Sequence, residues 1–182
     1  MLIVLGGLPG AGKSTIARAL LAQWPGLVYL RIDTIEQALR DSGALAGGEV
    51  GVAGYNVAYA LARTHLAQGM PVLTDCVNPL PVTRTAWHGV ASGARVPWLD
   101  VEVVCSDAAE HRRRVETRDA DVPGLALPDW QAVLRHGYEP WPSANAARLV
   151  VDSAVVEPTQ AAIQVMAVVR QLHGQMGLPH QI

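Results

Sequence analysis

A three-layer, doubly wound α/β sandwich around a five-stranded, mainly parallel sheet is predicted by three observations. Five short apolar, β-branched runs alternate with longer stretches of helical pattern. The apolarity of those runs is continuous rather than alternating, as suits parallel strands covered on both faces. A glycine-rich turn ending in Lys13-Ser14 joins the first run directly to the first helical stretch.

The strands are expected at Leu2–Gly6, Leu27–Ile32, Pro71–Asp75, Leu99–Cys105 and Arg148–Asp152. Helices are expected at Lys13–Trp24, Thr34–Ser42, Val52–Gln68, Leu80–Ser92, Ala108–Arg118, Asp129–His136 and Pro158–His173. Ser106-Asp107 ahead of Ala108, and Glu157-Pro158 ahead of the last helix, are helix-starting signals. Gly26, Gly43, Gly69 and Gly174 stand where helices should stop. Two stretches break the alternation: Gly43–Gly54, and Asp119–Pro128 with Pro123, Gly124 and Pro128. No repeat or linker divides the chain, so residues 1–182 are expected to form one domain, with 119–128 as a small lid over a site.

Composition narrows the function. Half of the 182 residues are apolar and 16% are charged, which is globular rather than disordered composition. A net charge of −2 supplies no general attraction for nucleic acid or an anionic membrane, and nucleic acid is not expected as a partner. No apolar run approaches the roughly 18 residues of a membrane span, so a cytoplasmic protein, monomeric or homodimeric, is expected. Cys76 and Cys105 lie far apart and suggest neither a disulfide framework nor a metal site. The 14 basic residues are arginines except for Lys13.

That lysine lies in Gly7-Leu8-Pro9-Gly10-Ala11-Gly12-Lys13-Ser14, a complete phosphate-cradling loop, or Walker A motif, between a strand and a helix. Its glycines let backbone N–H groups curl around phosphates, and the helix opening at Lys13 aims its positive end at the same anion. Lys13 is placed to reach the β- and γ-phosphates, Ser14 to ligate Mg²⁺, and Thr15 to contact the α-phosphate side. Asp33 ends the second strand and is a candidate base for an attacking hydroxyl, with a helix cap as the alternative role. Arg31 and Arg40 flank it, either as holders of an anionic group on the acceptor or as ordinary surface residues.

Asp75 ends the third strand, where a carboxylate holds Mg²⁺, touches the acceptor or caps a helix. Asn78 and Arg84 follow and are candidates to face the cleft. Arg114 and Arg118, four apart on an expected helix, would share a face leading into the mobile segment, as lid arginines that neutralise a transferring phosphoryl group do, with a solvated basic face as the alternative. Trp130 and Trp141 lie near that lid, with core packing the more ordinary role. The six histidines show no ligand spacing and receive no role.

With these residues the chain resembles the small P-loop kinases and AAA-type ATPases of the zeta-toxin-like and polynucleotide-kinase-like group. Chloramphenicol phosphotransferase, gluconate kinase and adenylylsulfate kinase are similar proteins in that wider group. Leu30–Ile35 resembles its segment after the second strand, Val72–Asn78 its third strand, and Arg114-x-x-x-Arg118 its lid arginines. One departure is the Ile35-Glu36 pair after Thr34, where relatives carry an arginine. The resemblance implies a P-loop, nucleoside-kinase-like fold and an ATP- and Mg²⁺-dependent kinase acting on a hydroxyl of a small molecule. In that reading Lys13, Asp33, Arg114 and Arg118 are catalytic, Gly7–Thr15 bind ATP, and Ser14 and Asp75 hold the metal. An ATP-hydrolysing switch acting on a protein partner, and a polynucleotide 5′-hydroxyl kinase, are the alternatives.

Overall fold

The computed structural model describes residues 1–43, 49–141 and 148–175 of the chain, and of Gln175 the backbone only. Part of the irregular stretch Gly43–Gly54 therefore lies outside the described residues. Strands β1 (Leu2–Gly6), β2 (Val28–Arg31), β3 (Val72–Asp75), β4 (Trp98–Val104) and β5 (Arg148–Asp152) form one sheet in the order β2-β3-β1-β4-β5. All four pairings are parallel. Between the strands lie α1 (Lys13–Gln23), α2 (Ile32–Asp41), α3 (Ala53–Ala67), α4 (Pro81–Ala94), α5 (Ala108–Thr117) and α6 (Trp130–Leu134), and α7 (Pro158–Gln175) follows β5.

Continuous apolarity in the strands reflects two buried faces. Ile3 and Leu5 point to one side, where α1 and α7 cover the sheet with Ile16, Leu20, Val165 and Val169. Leu2 and Val4 point to the other, under Ala58 and Ala62 of α3 and Trp87 and Val90 of α4. Trp87 is fully buried and meets the Tyr59 ring edge-on, with centroids 4.5 Å apart.

The topology also fixes where a ligand belongs. From β1 the chain passes over β3 to reach β2, and from β3 it crosses back over β1 to reach β4. The order reverses at β1, and a crevice opens beyond the carboxyl ends of strands at such a point. Register brings the relevant ends level: Leu5 pairs with Asp75, and Asp75 pairs with Arg31.

Differences from the expected elements are local. β2 stops at Arg31, because Ile32 already turns into α2, and this puts Asp33 in the first helical turn. Gly43 and Gly69 adopt left-handed backbone after α2 and α3, as their places suggested. Gly174 does not stop α7, which continues to Gln175. A glycine near a helix end costs only about 1 kcal/mol, which the buried face of α7 outweighs. Asp107 caps α5 as expected, its Oδ1 accepting from Ala109 N at 2.9 Å and Glu110 N at 3.1 Å. No described helix is long and apolar enough to cross a membrane.

Candidate active site

The loop between β1 and α1 depends on left-handed backbone at two glycines. Gly12, with φ 97°, is the N-cap of α1, so the first N–H groups of that helix open toward the loop. Gly10 has φ 81°, and a Cβ there would lie 2.5 Å from Val115 Cγ2 of α5. Lys13 is buried, and its Nζ donates to Gly7 O at 2.8 Å and Leu8 O at 3.1 Å. Burial lowers its pKa, against the opposing pull of the Asp75 and Asp33 carboxylates.

His111, to which the sequence reading gave no role, supports this loop from α5. Its ring Nε2 lies 2.8 Å from Pro9 O, so the N–H form of that nitrogen donates to the carbonyl. Trp130 of α6 packs edge-on against the imidazole at 5.2 Å. A signal existed: His111, Arg114, Val115 and Arg118 stand at the i, i+3, i+4, i+7 spacing of one helix face.

Asp75 lies at the floor of the crevice. Its Oδ2 accepts hydrogen bonds from Ser14 Oγ at 2.6 Å and from Tyr29 OH at 2.8 Å. Burial, and then the Asp75 charge, push the Tyr29 phenol far above its ordinary pKa, so it remains a donor. Ser14 and Asp75 are adjacent hard oxygen donors, the set Mg²⁺ prefers. Among the described residues no three His, Cys, Asp or Glu side chains gather into a metal site. A cation at this pair would therefore take its other ligands from phosphates and water, as Mg²⁺ at nucleotide sites does.

Asp33, with a half-exposed side chain, stands above this floor and accepts from Arg31 Nη2 at 3.3 Å. Arg31 also donates through Nη1 to Asp121 at 2.8 Å, and Arg18 reaches the same Asp121 oxygen at 3.3 Å. The Arg31 bond holds the Asp121 carboxyl below its ordinary pKa. These contacts fasten the 119–128 segment across the cleft. The segment has neither helix nor strand, and its residues Leu125–Pro128 line the cleft.

Arg114 and Arg118 both line the cleft, and the Arg118 N–H still donates to Arg114 O one turn back. α5 ends at Thr117, and Arg118 has extended backbone with ψ 143°. The chain leaves the helix there to carry Asp121 back to Arg31 and Arg18. Arg114 is held by Glu110 at 2.7 Å, Ser153 Oγ at 2.9 Å and Ser153 O at 3.1 Å. Arg118 Nε is buried without a hydrogen-bond partner. Burial lowers the pKa of this guanidinium, while Asp33 opposes the shift.

Two further candidates turn inward instead. Arg84 is only 4% exposed and donates to the carbonyls of Asn78, Pro79, Glu139 and Pro140, with its guanidinium stacked 4.4 Å from the Trp141 ring. It clamps the backbone after β3 to the segment after α6. Asn78 is fully buried. Trp141 is core, as its ordinary role suggested, and packs so closely on Gly6 that a Cβ there would lie 2.5 Å from its Cζ2. Arg31 and Arg40, the candidates for an acceptor's anionic group, are already paired with acids, Arg40 with Glu36 at 3.3 Å.

The resulting cleft measures about 790 Å³ and is lined by the phosphate loop, Asp33, Asp75, Arg114 and Arg118. Thr15 lies on its rim, exposed, accepting from Arg18 at 3.3 Å.

Comparison with known proteins agrees with this architecture. A family profile described as an AAA domain matches residues 2–137. A gluconokinase from Sinorhizobium meliloti 1021 is similar over 96% of this chain and 95% of its own, at 19% identity and TM-score 0.63. Kti12 from Chaetomium thermophilum, in complex with ADP-AlF3, is similar over 97% of both chains at 22% identity and TM-score 0.65. The APS kinase CysC from Mycobacterium tuberculosis, in complex with AMPPNP and APS, is similar over 93% of this chain and 96% of its own, at 18% identity and TM-score 0.62. Identities this low establish a shared fold. No curated protein sequence matches the chain. By the profile match, which takes in the loop, the Ser14–Asp75 pair, Asp33 and both arginines, the chain belongs to the AAA domain family, and its fold is that of the small P-loop kinases.

Proposed function

We propose that this protein is an ATP-dependent kinase that moves the γ-phosphoryl group of ATP to a hydroxyl of a small molecule. The observation that carries the reading is the meeting, in one cleft, of a phosphate loop, a Ser14–Asp75 oxygen pair and a further carboxylate, Asp33. Lys13 exchanges the Gly7 and Leu8 carbonyls for the β- and γ-phosphate oxygens. Gly7–Thr15 hold the nucleotide, with the first N–H groups of α1 directed at its phosphates. Ser14 and Asp75 hold Mg²⁺, which neutralises phosphate charge when bound.

Asp33 accepts the acceptor's hydroxyl proton, and its Arg31 contact keeps the carboxyl aimed into the cleft. Arg118 lines the cleft and neutralises the transferring phosphoryl group, and Arg114 lines it too, braced by Glu110 and Ser153. The 119–128 segment acts as the lid that excludes water. A general base and fixed phosphate donors each contribute on the order of 10²- to 10³-fold in such sites.

ATP consumption by the purified protein, alone and with pooled hydroxyl compounds, tests the reading. A kinase stays nearly idle until an acceptor arrives. Steady hydrolysis that no small molecule changes would point to a switch, and stimulation by DNA ends to a polynucleotide kinase.

A further inference from the structure

We infer that the acceptor bears no anionic group: the pocket is built for a hydroxyl compound that is neutral or carries an amine, and it rejects phosphate, sulfate and carboxylate substituents. The inference rests on the kinase reading and deepens it.

The pairing of charge beside Asp33 is the basis. Arg31 is committed through both terminal nitrogens, Nη1 to Asp121 at 2.8 Å and Nη2 to Asp33 at 3.3 Å. Arg40 binds Glu36 at 3.3 Å and Gln37 at 3.4 Å. Among the described residues the other cations that feel the Asp33 charge are Lys13 and Arg118, which the nucleotide and the transferring phosphoryl group require. An acceptor anion thus meets no uncommitted cation there unless it expels Asp121 from Arg31. That exchange would leave Asp121 and Asp33 as like charges beside the newcomer, and such juxtapositions are what interfaces use to refuse wrong partners.

An amine meets the opposite situation. Glu36 lines the cleft with a mostly buried side chain, and burial raises its carboxyl pKa in spite of Arg40, with Asp33 adding to the rise. A cation between Glu36 and Asp33 relieves both effects. Val77, Leu125 and Leu127 add apolar wall to the same cleft, which suits an uncharged carbon skeleton. The pocket differs in this from what the names of two structural neighbours, a gluconokinase and an APS kinase, would suggest by analogy.

The test separates a small-molecule pool by ion exchange into basic, neutral and acidic fractions. Each is incubated with the protein, Mg²⁺ and ATP, and phosphorylated products are sought by mass. Products are expected from the basic or neutral fraction, at least about tenfold above those from the acidic fraction. Products mainly from the acidic fraction overturn the inference while leaving the kinase reading intact. No product in any fraction, with ATP bound, overturns the kinase reading itself and the inference with it.

A variant supplies an independent check. Asp121→Ala removes the acceptor from Arg31 Nη1, so the ratio of acidic to non-acidic products should rise about tenfold. An unchanged ratio, with non-acidic turnover retained, contradicts the role given to the Arg31–Asp121 pair.

Discussion

Replacing Gly10 with alanine tests how tightly α5 is built onto the phosphate loop. Gly10 has φ 81°, a backbone that costs alanine about 1–2 kcal/mol. The new methyl would also lie 2.5 Å from Val115 Cγ2 and 3.3 Å from His111 Cδ2. Overlap of that kind costs about 1–3 kcal/mol, so the whole penalty is about 2–5 kcal/mol. It must appear either as lost stability or, if the loop shifts to escape, as lost ATP affinity.

A 2 kcal/mol penalty taken wholly in affinity is about a 30-fold rise in Kd. Urea unfolding and titration calorimetry with Mg-ATP measure the two routes. Val115→Ala opens the space the methyl needs, so a cycle of Gly10→Ala, Val115→Ala and the double variant should show a favourable coupling of about 1–3 kcal/mol. A Gly10→Ala protein within about 0.5 kcal/mol of the parent in both assays, or a cycle without coupling, would show that α5 does not press on the loop at Gly10.

Other expectations follow from neighbouring contacts. His111→Ala removes the donor to Pro9 O and should raise the Kd for ATP about threefold to tenfold, with His111→Gln recovering part of it; equal affinity in all three proteins would show that the contact does not shape the loop. Arg84→Ala strips donors from four carbonyls and should cost about 2–4 kcal/mol in urea unfolding while leaving ATP affinity unchanged, whereas weakened ATP binding in a fully folded variant would return Arg84 to the site. Lys13 has a lowered pKa in the free protein, and a phosphate held against it raises that pKa again. Above the lowered value the complex then binds more protons than the free protein, so ATP affinity should fall as pH rises through that value, below the 10.5 of an ordinary lysine. A Kd series from about pH 7 to about pH 10 checks this, and constant affinity across it would contradict the assignment.

Much of this organisation is legible in the amino-acid order, and the rest has a physical reason for being hidden. The strands stand out because both faces of Leu2–Gly6 and Val72–Asp75 are buried, which removes polar interruptions. The phosphate loop stands out because its geometry demands particular residues at adjacent positions. Contacts between distant segments leave no such trace: Arg31 and Asp121 are 90 residues apart, and Tyr29 is 46 from Asp75.

Arg84 was open to misreading for a different reason. A buried arginine wrapped in carbonyls and one reaching for a ligand have the same residue type, and only packing against Trp141 separates them. The Arg114–Arg118 spacing showed one turn of helix leading to the cleft, but not that the chain turns extended at Arg118. The spacing puts His111 on the face of these arginines, but its partner, Pro9 O, is 102 residues away in sequence and meets it only in the fold.

The central claim, phosphoryl transfer with Asp33 as the base, is tested most directly with γ-labelled ATP. The label is followed into pooled hydroxyl compounds by the parent protein and by Asp33→Asn, with ATP affinity measured on both. Labelled product is expected from the parent, with a loss of at least about 100-fold for Asp33→Asn and nearly equal ATP affinity. Label released only as inorganic phosphate by the parent, or transfer by Asp33→Asn at the parent's rate, would contradict it.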